Sequence, residues 1–168
     1  MADISFDVGV HRFNYRVAAI IESGQRYLFT TTPGIDFWFL PGGRVKAGES
    51  SLEAIARELG EELGLENQAI QPLWAVENFF TLHDENFHEL GFYFRLSLPP
   101  SSDLTRMESF QREPDWEFRW LNSELIQTLD VRPQFLKSKL PVTNQGFKHI
   151  IFKQEKQEFL EFDSAFTL

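Results

Sequence analysis

The chain has 168 residues, a formal charge of −9, no cysteine and 42% hydrophobic residues, Phe dominating its aromatics. That length suits one domain with a full core, and the lack of cysteine excludes a disulfide framework. The acidic balance weighs against non-specific binding to nucleic acid, which needs a basic surface, and no apolar run approaches the roughly 20 residues that cross a bilayer.

In chain order, the N-terminus lacks the basic stretch and apolar core of a secretory signal. A single cytoplasmic domain over residues 1–168, free of membrane, is therefore expected. Tyr15 to Glu22 and Arg26 to Thr31 read as strands, joined at Ser23-Gly24 as a hairpin. Phe37-Trp38-Phe39-Leu40 is a short apolar run readable as another strand. Pro41-Gly42-Gly43 follows, a turn whose glycines let backbone approach a ligand closely.

The next element carries the most information. Ser50 can cap a helix, with Glu53 as its capping-box partner, and Gly64 is the stop signal. At about 100° per residue, Leu52, Ile55, Ala56, Leu59 and Leu63 fall on one apolar face. Glu58, Glu61 and Glu62, spaced i, i+3, i+4, form a second cluster roughly 120° away on the wheel. Ala54 lies one turn above Glu58 and leaves room on that acidic side. Like charges at this spacing each cost a helix about 0.2–0.5 kcal/mol. Glu61 and Glu62 also sit in the last turn, where the helix dipole disfavours acids. A hard divalent cation would relieve both, and Mg²⁺ and Mn²⁺ prefer such oxygen ligands.

After the helix, Leu73 to Leu82 and Phe87 to Leu96 read as strands. Alternation puts His88, Leu90, Phe92, Phe94 and Leu96 on one side of the second strand. Phe87, Glu89, Gly91, Tyr93 and Arg95 lie on its other, more polar side. Pro99-Pro100-Ser101-Ser102 breaks the chain, and Trp116 to Leu121 is a further strand. Asn122 or Ser123 can cap a helix through Leu125, Ile126 and Leu129. Pro133 can start another through Phe135, Leu136 and Leu140. Residues 147–168 alternate apolar and polar, which fits a late hairpin or an interface strand. This order predicts an α/β fold (α+β), an α/β/α sandwich around a mixed sheet.

Residues 43–65 read as G-x5-E-x7-R-E-U-x-E-E-x-G-U, with U apolar, and no position departs from it. In this the chain resembles the Nudix hydrolases. The resemblance implies the same sandwich fold and metal-dependent cleavage of a nucleoside diphosphate linked to another group. It implies Glu58, Glu61, Glu62 and the Gly42 carbonyl as ligands of Mg²⁺ or Mn²⁺. Glu61 is then ligand or water-orienting carboxylate, and Arg57 orients the glutamates. Gly43, Gly48 and Gly64 are conformational, and Glu49 ties the loop to the helix. The family often adds an acid from outside this box. Glu89 is the best candidate, set against the plainer reading of an exposed strand carboxylate. Glu77, Asp84 and Glu85 are weaker ones. His83 and His88 receive no role, His88 being read as packed.

The substrate implied is a small nucleotide: a nucleotide sugar such as ADP-ribose, a nucleoside triphosphate or a dinucleoside polyphosphate. The window Glu77-Asn78-Phe79-Phe80-Thr81 does not choose among them. Phe37, Trp38, Phe79, Phe80, Phe87 and Trp116 are core residues or base-stacking surfaces, and Arg44 and Lys46 are solvated or phosphate-facing. A non-catalytic, nucleotide-binding regulatory domain is the alternative function. A homodimer is one option that the tail leaves open.

Overall fold

The structure, a computed structural model, describes residues 1–112, 115–143 and 146–162. Along them run β1 (Ser5–Val8), β2 (His11–Ser23), β3 (Arg26–Thr31), α1 (Ser51–Leu63), β4 (Gln71–Leu82), β5 (Glu85–Ser97) and α2 (Asp103–Arg106). Then come β6 (Ser109–Arg112), β7 (Trp116–Asn122), α3 (Ser123–Thr128), α4 (Leu136–Lys139), β8 (Lys148–Lys153) and β9 (Glu158–Phe162). The strands form one mixed sheet in the order β6-β7-β3-β2-β5-β4-β8-β9, with β1 beside β2. β2 pairs β5 and β4 pairs β8 in parallel.

Side-chain alternation divides β2 between two cores. Val17, Ala19 and Ile21 pack with Ile55, Leu59 and Leu63 of α1, and with Phe118 and Trp120. Ala18 and Ile20 point the other way, to a core closed by Ile126 of α3, Leu136 of α4 and Trp74. One helix layer thus covers each face of the sheet, as the element order predicts.

α1 begins and ends where its signals stand. The Ser50 hydroxyl accepts from the Glu53 amide, Glu53 accepts from the Ser50 amide, and Gly64 closes the helix with φ 67°. Ser50→Ala is expected to cost about 1 kcal/mol. Thermal unfolding should show this as a Tm lower by roughly 2–4 °C.

The apolar face of α1 differs from the wheel reading. Leu52 and Ala56 are exposed, and Ala54 is fully buried. The helix is rotated so that Ala54, Ile55, Leu59 and Leu63 meet the sheet. Ala54 therefore makes no room on the acidic side; its small side chain lies in the core with Val17 and Ala19.

Other expectations shift in detail. Phe37 to Leu40 is extended but is no strand. Trp38 and Phe39 form single bridges to Val131 and Thr30, because the run spans two partners on opposite sides. Pro133 opens a coil of i→i+3 bonds, from Leu136 N–H to the Pro133 carbonyl onward, and α-helical spacing starts only at Leu136. In the tail, β8 and β9 form the late hairpin; residues 163–168 lie outside the described part.

Candidate active site

β3 pairs with β2 only at Glu22↔Tyr27 and Ser23↔Arg26. Beyond that point the glycine turn takes its place. Ala19 N–H donates to the Pro41 carbonyl, Val17 N–H to the Gly43 carbonyl, and Val45 N–H to the Tyr15 carbonyl, at 2.8–2.9 Å. In an extended segment alternate groups point in opposite directions. Those between the β2 bonds therefore face α1: the Gly42 amide donates to Glu62 Oε2 at 3.2 Å, and the Arg44 carbonyl accepts from Arg57 Nη2 at 3.2 Å. The Gly42 carbonyl meets Arg16 Nη2 at a long 3.5 Å.

Both turn positions leave no free space for a Cβ, but what stands in the way differs. Gly42 has φ 134°, and a Cβ there would lie 2.3 Å from the Val17 carbonyl oxygen. A Cβ on Gly43 would lie 2.3 Å from Glu58 Oε1. The carboxylate of Glu58 thus rests directly on the turn.

Arg57 organises the acids around it. Its Nη2 and Nε bond both oxygens of Glu49, at 2.7 and 3.1 Å, in a bidentate fork. Its Nη1 reaches Glu58 Oε1 at 2.7 Å and Glu61 Oε2 at 3.1 Å. The side chain of Glu58 is 13% exposed and that of Glu61 56%. Bonding to Arg57 holds the Glu49 carboxyl below its ordinary range, and the same bond raises the Arg57 guanidinium. Glu49 also accepts from the Lys46 amide at 2.7 Å, tying loop to helix.

Glu58, Glu61 and Glu62 line a cleft of about 190 Å³ with Gly42, Gly43 and Trp116. The three carboxylates are hard oxygen donors suited to Mg²⁺ or Mn²⁺, and the missing Cβ of Gly43 is what lets Glu58 sit against the turn. Among the described residues no three acids or imidazoles are drawn into a ready-made cage; Arg57 and the Gly42 amide hold the carboxylates instead.

Glu89 lies elsewhere. It shares a sheet face with Tyr93, opposite to the α1 face, and lines a second cavity of about 470 Å³. The reading of an exposed strand carboxylate is wrong, since Glu89 is 7% exposed. The side that looked more polar is the more buried one, because Phe152 and residues 132–134, distant in sequence, cover it. Burial raises the Glu89 carboxyl, while Arg16 and the Asn78 side chain pull it down. The two cavities adjoin, sharing Gly42, Gly43 and Trp116.

The weaker candidates are engaged away from the cleft. Glu77 bonds His149 Nε2 at 2.7 Å, Glu85 pairs with Arg12, and His88 stacks on Phe79 with ring centroids 4.4 Å apart. His83 and Asp84 occupy the β4–β5 turn with positive φ. Sequence reasoning missed Asn14 and Arg16, which line the larger cavity with Glu89. The signal was two polar residues at alternate positions, leading into the apolar centre of β2.

The profile of the NUDIX domain matches residues 12–140. The nucleoside triphosphatase NudI of Enterobacter sp. (strain 638) is 31% identical over 116 residues, 65% of this chain and 76% of that protein. An RNA pyrophosphohydrolase of Psychrobacter sp. (strain PRwf-1) is 37% identical over 68 residues, 40% of this chain and 39% of that one. Among solved structures, a mutator MutT protein from Bacillus halodurans superposes with a TM-score of 0.63 at 17% identity, covering 88% of this chain and 94% of its own. At that identity the likeness speaks for the fold. With the box helix set against a glycine turn in that fold, and the domain profile spanning most of its length, the chain belongs to the Nudix hydrolase family.

Proposed function

We propose that the protein hydrolyses a diphosphate linkage in a nucleotide, using Mg²⁺ or Mn²⁺ held by Glu58, Glu61, Glu62 and the Gly42 carbonyl. The observation that carries this reading is the seating of Glu58 against Gly43, with Glu62 on the Gly42 amide. It brings acidic side chains and a bare stretch of backbone to one cleft. A bound ion supplies positive charge to phosphoryl oxygens and lowers the pKa of bound water.

The chain's own groups do the rest. Arg57 positions Glu58 and Glu61 by charge-assisted bonds. Glu61, the more exposed of the two, takes a proton from the attacking water. The water oxygen bonds to phosphorus as the bridging P–O bond breaks, leaving two phosphate products. Glu89, the candidate acid from outside the box, lines the adjoining cavity, which shares Gly42 and Gly43 with this cleft. The relatives named above act on nucleoside triphosphates or on RNA by their names, which supports an anhydride on a nucleoside as the substrate class.

The test is a panel of ADP-ribose and other nucleotide sugars, nucleoside triphosphates and dinucleoside polyphosphates with Mg²⁺ or Mn²⁺. Glu61→Gln should lower kcat by about 10²–10⁴-fold, as loss of a general base does, and chelator should abolish turnover. Undiminished activity in either case defeats the proposal. Tight binding of a nucleotide without turnover points to the regulatory alternative.

A further inference from the structure

The half of the sheet beyond α1 carries an apolar face. A sheet face in water is normally built of polar residues, and this one is not. α1 packs over Val17, Ala19 and Ile21 of β2. Earlier on the same face of that strand, Phe13 and Tyr15 stay partly exposed. The strand registers extend this face in rows. Phe6 of β1, Phe13 of β2, His88 of β5 and Phe79 of β4 stand side by side. Their ring centroids follow one another at 5.3, 5.7 and 4.4 Å. A second row, Tyr15, Leu90, Glu77, Ile151 and Leu160, reaches β9 at the end of the sheet. Phe92, Ala75, His149 and Phe162 form a third. None of these side chains is fully buried, and exposure reaches 53% at Phe6 and 40% at Leu160.

We propose that this face binds a second copy of the chain, sheet on sheet, in a twofold dimer. Its size fits that occupant. At about 4.8 Å per strand, β1 to β9 through β2, β5, β4 and β8 span roughly 24 Å, and three rows with their side chains cover roughly 20 Å along the strands. That footprint, roughly 500 Å², exceeds the few hundred Å² at which an apolar patch marks a contact site. The relief of the side chains brings it toward the roughly 800 Å² per partner of a stable complex. Charge points the same way. The chain carries −9 overall, yet within these rows Glu77 bonds His149 at 2.7 Å, and at the rim Glu158 pairs with Lys153 at 3.4 Å. A twofold contact sets a surface against itself, so charges already paired spare it like-charge repulsion. A strongly basic or acidic partner would gain little from such balanced groups. An apolar core rich in aromatic rings is also the composition of homodimer contacts. The acidic cleft borders Trp116 of β7, toward the other end of the strand order, and stays clear of the contact.

Sedimentation equilibrium of the full chain tests this without reference to turnover, so its outcome is separate from that of the hydrolase reading. Wild type should sediment as a dimer at micromolar concentration. Phe6→Glu and Leu160→Glu each insert a charge into the apolar contact and should weaken it by about 100-fold or more. Both positions are exposed in the single chain, so circular dichroism should show the fold retained. Leu160→Ala, which removes contact without adding charge, should raise the dissociation constant by about 10-fold and serves should a Glu variant fail to fold. Met107→Glu, at an exposed apolar position beside β6 and away from the face, should remain dimeric. A wild type that stays monomeric at about 100 μM, well above the range of a stable complex, overturns the inference and leaves the face to a different partner. Folded Phe6→Glu and Leu160→Glu that dimerise as wild type does also overturn it, since the contact then lies elsewhere.

Discussion

Alanine at Gly42 is expected to yield little folded protein, whereas alanine at Gly43 yields a folded protein with poor turnover. At Gly42 the added Cβ would meet the Val17 carbonyl oxygen at 2.3 Å and the Ala18 Cα at 2.9 Å, with φ at 134°. These are backbone atoms of a strand paired on both sides, so they have nowhere to go. Strained φ and steric overlap together should cost at least about 3 kcal/mol, a large share of a domain's roughly 5–15 kcal/mol. At Gly43 the atoms in the way are the Glu58 carboxylate. That side chain can rotate, but only by leaving Arg57 Nη1, now 2.7 Å away. Soluble yield and circular-dichroism melting separate the two variants. For Gly43→Ala, kcat/KM should fall by about 10²-fold or more, the scale of removing a positioned catalytic carboxylate. A fully active Gly43→Ala would show that the seat of Glu58 is irrelevant.

Arg57→Ala is expected to damage stability and ion affinity together. Removing the fork leaves Glu49, whose side chain is 9% exposed, without its bidentate partner. Exposed pairs contribute about 0–1 kcal/mol and breaking buried ones costs about 3–5; this half-buried cluster should lose about 2. The loss should depend on pH in a definite direction. Arg57 lowers the Glu49 carboxyl in the folded state. Its stabilisation is therefore present above the unfolded value, about 4.3, and is lost as pH falls through the folded one. The gap between wild type and variant should accordingly narrow below about pH 4.3 in chemical denaturation. Magnesium activation should weaken by about 10–100-fold, as when groups that orient metal ligands are removed. Arg57→Lys should recover part of the stability but not the affinity, because an ammonium cannot span both Glu49 oxygens. Unchanged magnesium dependence in Arg57→Ala would separate this cluster from ion binding.

Local chemistry made part of this molecule legible in the sequence. Ser50, Glu53 and Gly64 act within a few residues of themselves, so both ends of α1 could be read directly. The resemblance implied that Arg57 orients the glutamates and that Glu49 ties the loop to the helix; the structure joins the two roles in one fork. What depends on distant chain could not be read. The parallel pairing of β2 with β5 joins Asn14 to Glu89 across more than the whole box helix. The cover over Glu89 comes from Phe152 and residues 132–134. Alternation along β5 sorted its residues into two faces correctly, yet could not tell which face would be roofed. The wheel erred on Leu52 and Ala56 for a similar reason: the rotation of α1 depends on packing against the sheet, which buries Ala54 with Val17 and Ala19 and leaves those two exposed.

The alternation of β2 has a consequence for how this molecule could diversify. Its odd-numbered residues support the acidic helix and its even-numbered ones shape the chamber beneath α3 and α4. Exchanges at Asn14, Asn78 or Glu89 therefore work on one side of a one-residue-thick partition, whereas Arg16 reaches the Gly42 carbonyl. Changes at those three positions can reshape the chamber without replacing any side chain that holds the carboxylates of the acidic helix.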